Sequence, residues 1–531
     1  SLKERPCQDS IEAIRQVARL YKKVELPCSP RRVRAAYERY VSNDEFEALG
    51  VTEWSTTLRT VSSILWTGLD AFAQDTLFCA PGQFGSGATA EQRTPNKRWN
   101  LTQWPIRGEY LFPVSYHGTH DEADQEWMDN LHWLEECDEQ PARVVTVPKT
   151  LKTPRVISVE PSYMMLRQQS IAKPLMDWLE ANVSNNAIRF KDQTKNRELA
   201  RLGSVDGSLA TIDLSDASDR VSNLLVFEVF RRSPLFLEFI QGCRTSRAQL
   251  PDGRVLSLHK FASMGSALCF PIEAMVFYTL AVTAMVHQSG RPPSSDLISR
   301  LTANMSVYGD DIIVQSEMAS CVQDCLEAYG LRVNRGKSFS TGLFRESCGG
   351  DYYGGVVNTP VYVRRMDSTG TLAEPEDLAA YVSLGNQLYE KGLWETCQFV
   401  RNYVEARIGI LPRSTSELGC FTWTSVSFNT GLRWCSASSG WRVKSIALKA
   451  KTQEDDVETM SAAMLIAFQR KHSTEWRKSF WARKRSVDEG YTSSWVRPAS
   501  TSSLSSWESV RPYALDMKRR WTPARAGITS W

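Results

Sequence analysis

At 531 residues, with 42% apolar and 23% charged side chains, the chain is too long for one small core and too apolar for intrinsic disorder, so two or three lobes are expected. A net charge of +3 excludes a uniformly basic surface, yet Lys and Arg cluster locally, which implies grooves for an anionic partner. Twelve cysteines without a CxxC pair, and neither a signal-like start nor a run of about 18 apolar residues, speak against a disulfide scaffold and a membrane span and leave a reduced, cytosolic protein as the expectation.

From Gln8 to Tyr40 the apolar positions recur at helical spacing between charges. The Gly-rich "CAPGQFGSGATAEQRTPNKR" has no strand or helix period and ends basic, as a loop does. "YHGTHDEAD" sets His117 and His120 near Asp121 and Glu122, a grouping that suggests zinc; with no third ligand at a familiar spacing, it reads better as a loop with polar caps. "EADQEWMDNLHWLEEC" predicts one amphipathic helix, and "RVVTVPKTLKTPRVISVEP" predicts two strands joined by a basic, Pro-containing link.

The middle of the chain alternates strand-like and helix-like segments, which predicts a mixed α/β core. "SLATIDLSDASDR" is a strand running into an acidic turn, "PIEAMVFYTLAVTAMVHQ" an apolar helix, and "SCVQDCLEAYG" a helix closed by Gly330. "SVYGDDIIV" predicts a hairpin with Asp310 and Asp311 at its tip and Gly309 supplying the turn. Beyond about Arg365 the pattern is more helical, and the Ser-, Thr-, Trp- and Arg-rich end has the composition of a partly disordered appendage. In "STEWRKSFWARKR", Arg477, Lys478 and Trp481 belong to a mix of cations and aromatic rings that suits single-stranded RNA and equally suits an amphipathic helix packed by its aromatic face.

Two adjacent acids in an apolar strand are costly unless a cation compensates them. Asp213, at the end of its predicted strand, would join Asp310 and Asp311 in a carboxylate cluster able to hold two hard divalent cations for phosphoryl transfer. Asp216 and Asp219 follow in the turn, Asp216 reading better as a helix cap. Lys149, Lys152 and Arg155 lie three residues apart, a spacing that lets an extended backbone converge them on a triphosphate; a solvated basic loop reads as well.

In this order, "VPKTLKTPR", "DLSDASD", "SMGSALCFPIE", "YGDD", "NRGKSF" and "GLFRESCGGDYYGG" resemble the RNA-directed RNA polymerases, the replicase catalytic subunits, of the leviviruses, single-stranded RNA bacteriophages; the resemblance runs from Arg143 to Arg365 and more weakly before it. It implies a right-hand polymerase of α/β class with an α+β palm: fingers and N-terminal region over 1–204, including a basic nucleotide-binding loop at 143–160, palm over 205–365, and thumb with appendage over 366–531. Asp213 and Asp310 match the principal metal ligands and Asp311 the neighbouring acid, for two Mg²⁺ ions with Mn²⁺ as a substitute. Lys149, Lys152 and Arg155 match the cations over the triphosphate, Asp219 the residue that senses the ribose hydroxyls, Ser263, Gly265 and Ser266 the loop supporting the template, and Lys337 a proton donor to pyrophosphate. Glu273 stands where many viral RNA polymerases carry an Asn, so sugar discrimination there would use a carboxylate acceptor, unless Glu273 is a polar residue of the core helix.

The same resemblance places Arg345 and Tyr352 near the product strand, with structural packing an equal reading. It also implies an RNA template and product, ribonucleoside triphosphates, host translation elongation factors, a ribosomal small-subunit protein and the cytoplasm of the bacterial host. Two rivals share these features in part. A reverse transcriptase would share the palm acids, though Asp219 argues for ribonucleotides, and a non-catalytic RNA-binding or assembly protein would not need Asp213, Asp310, Asp311, Lys149, Arg155 and Lys337 together.

Overall fold

The computed structural model describes residues 7–450 apart from 46–49, 51, 86, 92–98, 119–124, 151, 368–369, 415–419, 427–431 and 437–439, together with 463 and 515–523. At its centre runs the helix Cys269–Ser289, apolar on every side and buried almost without a break from Cys269 to Val286. Among the described residues it alone is long and apolar enough to cross a membrane. Here it serves as the core axis, enclosed by the helices Ser55–Leu65 and Ala319–Ala328 and by an antiparallel sheet.

That sheet has the order Leu209–Ile212, Asp311–Gln315, Ser306–Tyr308. Ile312 and Val314 face the main core, whereas Ile313 packs on the opposite side with Ala200, Leu209 and Tyr352. Burial of both faces explains the unbroken apolar run "IIV". The register pairs Tyr308 with Asp311 and Ile212 with Ile312, so the turn at Gly309–Asp310 lies beside the end of the strand that leads to Asp213. The mixed α/β core and the hairpin expected from the sequence are both present.

A second sheet has the order Arg155–Val159, Ala142–Val147, Arg247–Gln249, Val255–Ser257; the first two are the strands expected round the basic link, and they pair antiparallel. Its strands come from two separated parts of the chain, and the helix Thr194–Asp206 spans the division expected at 204/205 and packs on the central sheet. The helix Gln8–Arg19 buries no residue of its own; Gln16 exchanges side-chain hydrogen bonds with the Val361 backbone, at 2.9 Å each way. Val363 N–H donates to the Leu20 carbonyl, so the N-terminal segment straps the chain that leaves the central domain.

Two expectations change. The helix over "EADQEWMDNLHWLEEC" shrinks to Gln125–Asn130, because His132–Leu134 instead pairs in parallel with Gln103–Pro105, where Trp104 and Leu134 are buried. In the C-terminal part, the helices Pro375–Glu390 and Trp394–Ile408 pack together through the stacked rings of Tyr381 and Tyr403, but Leu515–Pro523 adds a strand beside Gly440–Ala450 where an appendage is expected. Eleven of the twelve cysteines, from Cys7 to Cys420, are free thiols.

Glu160 ends the second sheet fully enclosed, and burial raises its pKa to about 7 despite the Thr245 hydroxyl that donates to it. The folded chain therefore keeps this proton up to about pH 7, whereas the unfolded chain releases it near the ordinary value of 4.5. Stability falls as pH rises through that window and stays reduced above it. Glu160→Gln should leave stability unchanged at pH 4 and raise it by about 1–3 kcal/mol at pH 8, as read from urea midpoints at the two values.

Candidate active site

Asp213 follows directly on the strand Leu209–Ile212, and a loop from the far side of the sheet clamps it. Asn334 Nδ2 donates to Asp213 Oδ2 at 2.7 Å, Lys337 Nζ to Oδ1 at 3.2 Å, and the Asp213 backbone N–H to Ser338 Oγ at 3.1 Å. All three partners lie in "NRGKSF", of which sequence reasoning singled out only Lys337. Burial opposes the Lys337 charge, but Asp213, Glu346 and Asp310 outweigh it and raise its pKa.

Asp310 stands at the solvent-facing tip of the hairpin turn. Surrounding protein and then the Asp213 carboxylate push its pKa up, while Lys337 and Lys149 oppose the rise. The turn admits only glycine at position 309: φ is +60°, and a Cβ there would come within 2.4 Å of the Phe270 ring. Phe270 is wedged edge-to-face between Phe190 and Tyr308, so it has no room to yield.

Asp311 is half-buried beside Asp310. Both of its oxygens are engaged, Oδ1 by Ser347 Oγ at 3.3 Å and Oδ2 by the Cys348 backbone N–H at 3.1 Å. Burial, Asp310 and Asp213 raise its pKa to about 7. Adjacent residues of an extended chain point to opposite sides, which separates the paired acids. Glu273 is buried beside Gly309, and burial, then Asp310, raise its pKa well above the ordinary carboxylate value.

Of the three cations expected over a triphosphate, Lys149 lies near Asp213 and Asp310, and burial, Arg155 and Lys337 lower its pKa. Arg155 is exposed at the start of its strand, and Lys152 is exposed in the link. Asp219 forms an ion pair with Lys260, Nζ to Oδ1 3.1 Å. Ser263 is buried, its hydroxyl bonded to Tyr40 Oη at 2.9 Å; Ser266 Oγ reaches Gln168 at 3.1 Å. Gly265, at φ +127°, lies so close to the Ser158 carbonyl that a Cβ would fall 2.0 Å from it.

Arg345 and Tyr352 are not brought to the opening. Arg345 is fully buried and donates to the carbonyls of Leu209, Gly342 and Phe344, and Tyr352 packs against Ala200 and Ile313. These two candidates for product contact are structural, because the strands that carry them close the back of the central sheet. Arg477, Lys478 and Trp481 lie outside the described residues, as do His120, Asp121 and Glu122. His117 is buried between Phe112 and Tyr116, and burial, with Arg167 nearby, holds its pKa down to about 4.

Among the described residues no three His, Cys, Asp or Glu side chains close round a common point. Asp213 and Asp310 each have carboxylate oxygens that could serve a metal, two like charges in a crowded setting. Such a set suits a hard divalent cation that takes its remaining ligands from water and substrate phosphates.

Residues 26–398 match the family model described as RNA replicase, beta-chain. The chain is 35% identical to the RNA-directed RNA polymerase subunit beta of Qbeta virus (strain MX1) over 48% of its own length and 40% of the relative's. It is 38% identical to the corresponding subunit of Enterobacteria phage SP over 42% and 36%, and 35% identical to the RNA-directed RNA polymerase beta chain of Escherichia phage MS2 over 42% and 37%. It thus spans about 40% of the length of these curated relatives. Among solved structures it is similar to the RNA-dependent RNA polymerase of a human picobirnavirus, at 16% identity and TM-score 0.38 over 51% of this chain and 57% of that one.

The glycine turn yields a test of this geometry. Gly309→Ala should cost about 1–3 kcal/mol more than Gly253→Ala, whose φ of +90° imposes similar backbone strain but whose Cβ would meet open space. Equal shifts of the two urea midpoints would contradict the packing of Phe270 against the turn.

Proposed function

The chain belongs to the RNA replicase, beta-chain family, and on that premise we propose that it copies RNA from ribonucleoside triphosphates, as an RNA-directed RNA polymerase with a right-hand arrangement. The observation that carries this reading is the meeting of Asp213 and Asp310, from two different strands, with Lys149 and Lys337 close enough to influence both. A binding surface for RNA needs cations; it does not need two crowded acids among them.

In this reading the central sheet with Asp213 and the Gly309–Asp310 turn is the palm. The sheet built from 142–159 and 247–257 belongs to the fingers, and the helices Pro375–Glu390 and Trp394–Ile408 begin the thumb. Asp213 and Asp310 hold the metal, Mg²⁺ or Mn²⁺; two ions fit if substrate phosphates complete their shells. A bound divalent ion lowers the pKa of the attacking hydroxyl and neutralises charge on the phosphates.

The remaining steps belong to side chains. Lys149 and Arg155, with Lys152 at the rim, neutralise and orient the triphosphate. Asn334 holds the Asp213 carboxylate in one rotamer through a 2.7 Å hydrogen bond. Lys337, kept protonated by the acids around it, is placed to give a proton to the departing pyrophosphate. Asp219 accepts from the sugar hydroxyls of the incoming nucleotide, and the fastened loop Ser263–Ser266 backs the template base.

The relatives are named as subunits, which supports action within an assembly; host elongation factors and a ribosomal small-subunit protein, inside an infected bacterial cell, complete the proposal. Asp310→Asn should lower templated ribonucleotide incorporation on the order of 10³-fold with RNA affinity retained, while Asp311→Asn, whose oxygens are already engaged, should lower it less than about tenfold. The measurement is labelled ribonucleotide incorporation on a defined RNA template with Mg²⁺, first with the chain alone and then with host lysate. No incorporation by the unaltered chain even with host lysate, with RNA bound equally well by it and by both variants, would return the protein to the non-catalytic reading.

A further inference from the structure

Lys260 is a fully buried lysine whose ammonium meets an acid, a carbonyl and an aromatic ring. Nζ donates to Asp219 Oδ1 at 3.1 Å and to the Tyr40 carbonyl at 3.4 Å, and it sits 3.6 Å from the centre of the Tyr40 ring. The Lys260 backbone N–H and that of His259 donate to the two oxygens of Asp44, at 2.8 and 2.9 Å. The segment 259–261 is itself laced to 221–223, because Asn223 N–H donates to the His259 carbonyl and Phe261 N–H to the Val221 carbonyl, both at 2.8 Å. The ammonium is thus held from below the turn that carries Asp219.

Burying a lysine is costly, and a surface ion pair would have served stability at less expense. The arrangement is more economical as a positioning device. Only Oδ1 of Asp219 is taken by Lys260, and the Asp219 side chain retains 19% exposure while that of Lys260 has none. The same Tyr40 that cradles the ammonium bonds through its hydroxyl to Ser158 and to Ser263, each at 2.9 Å, and so joins the Asp219 turn to the loop expected to support the template.

We propose that Lys260 is a specificity-determining positioning residue: through its ion pair it aims the Asp219 carboxylate at the ribose of the incoming nucleotide, with Tyr40 coupling that aim to the Ser263 loop. The proposal rests on the reading of Asp219 as the sugar sensor. Lys260 touches no substrate in this scheme. It acts on selectivity between ribose and deoxyribose through Asp219, because a carboxylate displaced by even an ångström loses the hydroxyl it is meant to hold.

The test compares the full chain with Lys260→Met, Asp219→Asn and the double variant. The readout is single-nucleotide kcat/KM for a ribonucleotide and its deoxy counterpart on one RNA template. Lys260→Met should lower the ribose preference on the order of tenfold, mostly through KM, with ribonucleotide kcat within about threefold of the original. The double variant should lose no more preference than Asp219→Asn alone, since the two residues act as one unit. The double variant also keeps the test open if Lys260→Met leaves Asp219 buried, unpaired and unable to fold, for it removes that charge as well.

Preference unchanged in Lys260→Met but lowered in Asp219→Asn would overturn the role of Lys260 and leave that of Asp219. Preference unchanged in both would overturn the sugar-sensing reading itself. A double variant that folds but loses preference additively would show the two acting separately, which also contradicts the proposal.

Discussion

The structure turns on keeping Asp213 and Asp310 side by side. Like carboxylates repel and resist losing water, so two of them meet only where covalent geometry and neighbouring cations leave no alternative. Here the sheet register delivers the two strand ends together, Gly309 lets the hairpin turn under the Phe270 ring, and Asn334 and Lys337 pin Asp213 from the opposite side. Burial, and then the Asp213 carboxylate, raise the pKa of Asp310. The fold concentrates negative charge at one point, and the metal binding proposed above would meet it.

The rest of the architecture serves this point at increasing distance. The buried helix Cys269–Ser289 carries Phe270 and Glu273 against the turn, so the core axis and the candidate site share residues. The link between the first two strands of the second sheet carries Lys149, and the edge strand that follows carries both Arg155 and Ser158, whose backbone N–H donates to the Met264 carbonyl at 2.8 Å and holds the Ser263–Ser266 loop. Lys260 and Tyr40 then tie the Asp219 turn to that same loop. Arg155, the Asp219 turn and the Ser263–Ser266 loop are therefore linked through protein, not merely near one another.

Much of this was legible in the sequence, for reasons that also mark where legibility ended. The hairpin, the strand before Asp213, the paired strands around "KTLKTPR" and the apolar helix follow from local composition and turn residues, which one segment suffices to display. Asp311 was grouped with Asp310 because adjacency in sequence resembles adjacency in space; strand geometry separates them, and Ser347 and Cys348, far along the chain, claim the second acid. For Arg345 and Tyr352 the sequence leaves product contact and structural packing equally open, because their burial depends on the helix Thr194–Asp206 and the strand Leu209–Ile212, contacts no local pattern encodes. Lys260 escaped notice for the same reason: its partners are 41 and 220 residues away. The helix over "EADQEWMDNLHWLEEC" was shortened by a parallel pairing with Gln103–Pro105, where tertiary contact overrode periodicity.

The claim that most needs testing is that Asp213 and Asp310 together create a divalent-metal site from which Asp311 stands apart. Mn²⁺ binding followed by electron paramagnetic resonance, in the presence of a ribonucleoside triphosphate, reports on this directly and without turnover. The account predicts that Asp213→Asn and Asp310→Asn each weaken Mn²⁺ binding at least about tenfold, and that Asp311→Asn leaves it within about threefold. Equal weakening by all three, or by Asp311→Asn alone, would contradict it.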